Sequence, residues 1–254
     1  MITKQLGKGL GALIRHQKNQ DVSPAGVTKI SISKVKMNPY QPRKLFDEKT
    51  LAELEQADSN LEILNRTENG GKGAAVTTGL LTAYKKGFTH ALQVDADGQH
   101  LASDAVKFLE AAKNQPESLV LGQPYFDESA PKSRVYGRKI TQFFVWLETV
   151  SFEIKDTLCG FRVYPLSAFH AIAEQVQLRE RMDFDPEIAV RMYWERVPVI
   201  NIETPVRYDE EGLSHFHFFR DNVLMISLHV SLLLEALRRS PQLIWNAIKR
   251  NIRQ

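Results

Sequence analysis

One cysteine in 254 residues, Cys159, excludes an internal disulfide framework and suits a reducing compartment. No apolar run is long enough to span a bilayer. The longest, Val223 to Leu237, is interrupted by His229 and Glu235 and falls short of the roughly 18 apolar residues a span requires. The opening MITKQLGKGLGALIRHQ has basic residues but lacks the apolar core of a signal peptide. No internal repeat is present. These absences leave a cytoplasmic protein, with peripheral contact at the inner face of a membrane still open.

What is present is ordinary in amount and uneven in distribution. Hydrophobic residues make up 43% and charged residues 25%, values typical of a globular chain long enough for one sizeable α/β domain plus an appendage. The net charge of +3 hides an asymmetry. Residues 1–50 hold ten Lys/Arg against three Asp/Glu, and the rest of the chain holds 23 against 27. The basic character therefore belongs to the head, and it is weak support for nucleic-acid binding by the main domain.

The most informative stretch is NGGKGAAVTTGLLTAYKKGFTHALQVDADGQH, residues 69–100. It reads as a glycine-rich turn, an amphipathic helix, and an apolar strand that ends in Asp95 and Asp97. Two carboxylates flanking a small residue at a strand's end suit a hard divalent cation carrying a diphosphate. The plainer alternative is a polar turn closing a strand. Beyond it, periodicity predicts helices over 73–86, 102–112, 131–152, 166–176, 184–194 and 218–237, with strands over 61–64, 91–94, 119–122, 161–164 and 197–208. Alternating strands and helices imply a layered α/β domain with a mostly parallel sheet flanked by helices.

Five motifs in order, NGGKGAAV, VDADGQH, SRxxGR, DxLCGFRVYP and MDFDPEI, make residues 51–254 resemble the family 2 glycosyltransferases. The likeness is greatest to polyprenyl-phosphate sugar transferases, and the implied fold is the Rossmann-like GT-A fold. The resemblance implies a metal-dependent, inverting transfer of a sugar from a nucleotide-sugar donor to a lipid-linked or small acceptor. It implies Asp95, Asp97 and Gln99 around Mg²⁺ or Mn²⁺, where the cation neutralises the departing diphosphate. It places Lys72 near the nucleotide, against the alternative of a solvated lysine at a helix start. It gives Arg134 and Arg138, one helical turn apart, a phosphate to hold, the alternative being surface charge. Arg162 is read as a further phosphate-side or structural arginine.

Within MDFDPEI, Asp185 matches the family's general base, although carboxylates at a helix start also favour the macrodipole. A base is needed only for a hydroxyl acceptor, because a lipid phosphate is already anionic. Nothing marks Cys159 as a nucleophile. His215 and His217 can contact metal or phosphate, or merely cap and pack. The apolar segment within 218–254 can lie on a membrane or serve as a core helix and a contact between copies. A QxxRW motif of processive members is absent, which argues against polymer synthesis.

Residues 1–50 form a different piece. KGLG followed by NPYQPR and FDE resembles the amino-terminal end of the ParB chromosome-partition proteins, without that family's nucleotide motif or helix-turn-helix. The expected organisation is a basic, partly disordered arm (1–50), a truncated GT-A domain (51–217) and an amphipathic helical segment (218–254). The opening strands of the glycosyltransferase family, with their acidic motif, find no counterpart in the head. Weakened donor affinity and a less stable sheet are the expected consequences. Two rivals to catalysis follow: an inactive nucleotide-sugar or membrane-surface module, and a partition-associated DNA- or ATPase-binding protein. DNA binding is the less expected of the two, and a homo-oligomer remains open.

Overall fold

The structure, a computed structural model, describes residues 62–64, 66–95, 100–126, 132–206 and 218–253. The head, Asp97, Gln99, His215 and His217 lie outside them. Eleven segments follow one another: α1 (Lys72–Lys85), β1 (His90–Gln93), a 3₁₀ turn (Ala102–Asp104), α2 (Ala105–Asn114), β2 (Leu119–Phe126), α3 (Lys132–Thr149), β3 (Arg162–Pro165), α4 (Leu166–Gln175), α5 (Phe184–Trp194), β4 (Val199–Val206) and α6 (Phe218–Arg253). The described sheet has the order β1-β3-β2-β4.

Alternation along the strands divides the core into two layers. Val120 and Val163 point to one face, where they pack with Phe108 and Ala112 of α2 and with Phe161. Leu119, Leu121 and Tyr164 point to the other, onto a larger cluster built from α1 and α3 to α6. Phe169 and Phe184 are fully enclosed there. Truncating one such aromatic to alanine costs about 3–5 kcal/mol, so this face carries most of the packing stability.

The α/β layering is as the sequence implies, but the sheet is mixed rather than mostly parallel. β2 and β4 run parallel, from Leu119 opposite Val199 to Phe126 opposite Val206. β3 is antiparallel to both neighbours. A four-residue strand buried on both faces looks the same read in either direction, so the sequence carried no signal for this reversal. Its consequence is functional: Arg162 pairs with Gln93, so the turn entering β3 lies beside the end of β1. The strand expected over 61–64 is not formed at the described residues 62–64. The last helix continues through Pro241 to Arg253 rather than ending near 237.

Candidate active site

The site is assembled from three helix and strand ends. Lys72 opens α1, and a close backbone approach fixes where that helix begins. A Cβ added at Gly73 would lie 2.4 Å from the Cβ of Phe184 and 2.7 Å from the carbonyl oxygen of Arg179. The Ala74 amide donates to the Glu180 carbonyl at 2.8 Å. The last glycine of the GGKG segment thus lets the start of α1 press onto the start of α5, and this delivers Lys72 to Asp185.

Asp95 stands two residues beyond β1. A Cβ at Gly160 would fall 1.9 Å from its Oδ2, so only glycine leaves room for the carboxylate at this point. Gln93 donates to Asp95 Oδ1 at 3.4 Å, and Tyr164 Oη donates to Gln93 Oε1 at 2.9 Å. The Lys72 ammonium then bridges the two acids, lying 2.6 Å from Asp95 Oδ2 and 2.6 Å from Asp185 Oδ2.

Beneath Asp185 lies Arg162, whose side chain is completely enclosed. Its guanidinium donates to the carbonyls of Cys159 at 2.7 Å and Asp185 at 2.8 Å, and also to that of Thr157. Its Nη1 is 3.7 Å from Asp185 Oδ1, a buried oxygen with no hydrogen-bond partner among the described residues. Burial pushes the Asp185 carboxyl up, but Lys72 and Arg162 outweigh it and hold the group below the ordinary aspartate value. Burial likewise lowers Lys72, while Asp185 and Asp95 more than restore it to a value above the lysine range. Both partners are therefore ionised across the physiological range.

Arg138 follows a different course. Its Nη1 takes both oxygens of Asp156, at 2.9 and 2.7 Å, and its guanidinium lies 5.3 Å from the Phe126 ring centroid. Asp156 Oδ1 in turn accepts from the amides of Leu158 and Cys159 at 2.8 and 2.7 Å. Arg138 thereby organises the turn that ends at Gly160. Arg134 sits in the first turn of α3, and its side chain lies outside the described residues. Cys159 is buried 3.9 Å from His100 Nε2, and burial, reinforced by Asp156, pushes its thiol up to about 12. It remains a thiol, in keeping with the absence of any nucleophile signal.

Of the three acids in MDFDPEI, only Asp185 faces Lys72. Glu187 accepts from the Arg179 amide at 2.6 Å and from Arg191 Nε at 2.9 Å, and Asp183 lies 3.9 Å from Arg179. Sequence reasoning missed Gln93, Tyr164 and Gly160 as organisers of the acidic pair. The alternation of β1 and β3 signals Gln93 and Tyr164 only once their pairing is known.

Asp95 supplies a hard oxygen donor seated in a glycine cradle, which fits a divalent cation. Among the described residues no three His, Cys, Asp or Glu side chains gather closely enough to hold one unaided. The expected co-ligands Asp97 and Gln99 are outside those residues.

The model of the family described as Glycosyl transferase family 2 matches residues 47–173, half of the chain, and the protein belongs to that family. Over 140 residues it is 34% identical to a dolichyl-phosphate beta-glucosyltransferase of Trichomonas vaginalis, covering 52% of this chain and 42% of that one. Over 120 residues it is 28% identical to a UDP-N-acetylglucosamine–dolichyl-phosphate N-acetylglucosaminyltransferase of Methanococcus voltae, covering 46% and 47%. The chain thus spans about half the length of the curated relatives it matches. The partition-type resemblance is a short partial one: 56 residues are 45% identical to Stage 0 sporulation protein J of Bacillus subtilis, 22% of this chain and 19% of that one.

Proposed function

We propose that the protein is an inverting glycosyltransferase that moves a sugar from a nucleotide-sugar donor to a polyprenyl-phosphate acceptor. The observation that carries this reading is the Lys72 bridge between Asp95 and Asp185. Asp95, joined by Asp97 and Gln99, would hold Mg²⁺ or Mn²⁺ against the donor diphosphate. When bound, the cation stabilises the charge left on the departing nucleoside diphosphate.

Asp185, held ionised by a lysine and a buried arginine, is poorly tuned as a proton acceptor near neutral pH. This suits an acceptor that is already anionic and needs no base. For a hydroxyl acceptor Asp185 would be the base, and Lys72 would have to leave it first. The two relatives differ in the sugar their names carry and share dolichyl phosphate, so the acceptor class is the better-supported half of the assignment. Arg134 would meet acceptor phosphate, joined by Arg138 if it exchanges Asp156 for the ligand. Arg162 would act through Asp185, and Lys72 would be the group nearest the donor diphosphate.

In this reading residues 1–50 are an appended head, 51–217 the transferase domain and 218–254 a helical segment that approaches the lipid acceptor. No helix among the described residues is long and apolar enough to cross a membrane.

The test is sugar transfer from UDP-glucose and UDP-N-acetylglucosamine to a short polyprenyl phosphate with Mn²⁺, comparing the wild-type chain with Asp95→Asn. Losing several kcal/mol of charge stabilisation should slow transfer by roughly 100-fold or more. Equal rates would sink the metal-site assignment, and no transfer by either chain would sink the enzyme reading.

A further inference from the structure

Two neighbouring helices carry apolar side chains on the side that faces solvent. On α3, Tyr136, Ile140, Phe143 and Leu147 are all exposed, spaced four, three and four residues apart. On α6, Ile226, Val230, Leu234 and Leu237 are exposed at four, four and three. Each set forms one stripe along its helix. The stripes border a common seam, because Phe144 of α3 stacks on His229 of α6 at 5.0 Å. Phe143 and Val230, each adjacent in sequence to one member of that pair, stand exposed. Trp245 and Ile248 extend the apolar stripe toward the end of α6. Large contiguous apolar surfaces of this kind are covered in use.

The charge on these helices selects the cover. Together α3 and α6 contain ten Lys/Arg and three Asp/Glu. None of the three acids is a free surface charge: Glu148 is buried against His229, Asp221 is buried, and Glu235 is held by Arg191 and Arg239. Lys139, Arg220 and Arg238 are exposed at the margins. A second copy seated face to face would set one basic rim against another. The basic head, ten Lys/Arg against three Asp/Glu, would meet the same repulsion. A bilayer with anionic headgroups satisfies both features, since its acyl region accepts the stripes and its headgroups accept the rim.

We infer that the α3–α6 face is a peripheral docking surface for anionic membranes. It deepens the polyprenyl-phosphate reading but is carried by independent residues. Arg138 of the same α3 holds the Asp156 turn that leads to Gly160 and Asp95, so the docking helix is also part of the scaffold of the candidate site.

Vesicle co-sedimentation of the full chain tests it. Phosphatidylcholine vesicles with roughly one-quarter phosphatidylglycerol should bind the protein at least about tenfold more tightly than phosphatidylcholine alone. Salt near about 0.5 M should remove most of that difference. The double variant Ile226→Glu/Val230→Glu should weaken binding to the anionic vesicles by about a hundredfold, with its helical signal and unfolding midpoint retained. Unchanged vesicle binding by that folded variant would overturn the proposal. So would a wild-type chain that ignores vesicles, whether it is a dimer dissociated by the same substitutions (a second copy as occupant) or a monomer. Sugar transfer to a detergent-dispersed acceptor is measured in parallel. Failure of docking with transfer intact rejects the surface alone, whereas docking without transfer rejects the enzyme reading alone.

Discussion

Two buried ionic clusters lie on the same side of the sheet and are built on opposite rules. Around Asp185, two cations and two carboxylates alternate, and Lys72 and Arg162 keep Asp185 charged despite its burial. Between α3 and α6, Glu148 meets His229 alone, Oε1 to Nδ1 at 2.7 Å. Glu148 Oε2 and His229 Nε2 find no hydrogen-bond partner among the described residues. There burial penalises the carboxylate more than His229 relieves it, and the Glu148 carboxyl stays above its ordinary value. The difference teaches what a buried charge requires: several partners make it permanent, whereas one leaves it conditional on pH.

The sharpest way to break the contrast is to remove one member of the dense cluster. Asp185→Ala leaves Lys72 with one acid and Arg162 with none, and should cost about 3–5 kcal/mol in urea unfolding. A loss under about 1 kcal/mol would mean that the cations are relieved by solvent and that the cluster is not a fixed unit.

The sparse pair should behave in the opposite way. Replacing both members, Glu148→Leu with His229→Leu, removes two buried polar groups that are only half satisfied. The double variant should equal or exceed the wild type by about 1–4 kcal/mol, while Glu148→Leu alone destabilises. A double variant weaker than either single one would show that the pair is worth more than its packing.

The gentlest test uses pH. Asp185 has a folded value below the ordinary 3.8, so its stability contribution is full above 3.8 and is lost as pH falls through the depressed value. Glu148 has a folded value above the ordinary 4.5, so its contribution is present below 4.5 and fades as pH rises through the raised value. Stability profiles of Asp185→Asn and Glu148→Gln should therefore flatten the curve on opposite sides of about pH 4. Flattening on the same side in both would refute the contrast.

Much of this was legible in the chain. The glycines of NGGKG announced a tight helix start, and the structure shows the reason in the approach of Gly73 to Phe184. The long helix predicted over 131–152 is there as α3, Lys132–Thr149. Arg138 was singled out as a phosphate contact, and the structure gives it Asp156, a partner 18 positions away that no local pattern ties to it. Arg162 reads from the sequence as a phosphate-side or structural arginine, and the structure encloses it and has it organise three carbonyls. Its role depends on a turn and a helix brought together only by folding.

Periodicity and motif order by themselves determined the helices, most strands, the family of the fold and the acids proposed to carry its chemistry. Those signals are local, set by side-chain spacing along a few turns or pleats. Tertiary structure alone decided that β3 runs backwards, that Lys72 joins Asp95 to Asp185, and that the apolar stripes of α3 and α6 face outward side by side. Each of these depends on contacts between residues far apart in the chain, which spacing along one segment cannot encode.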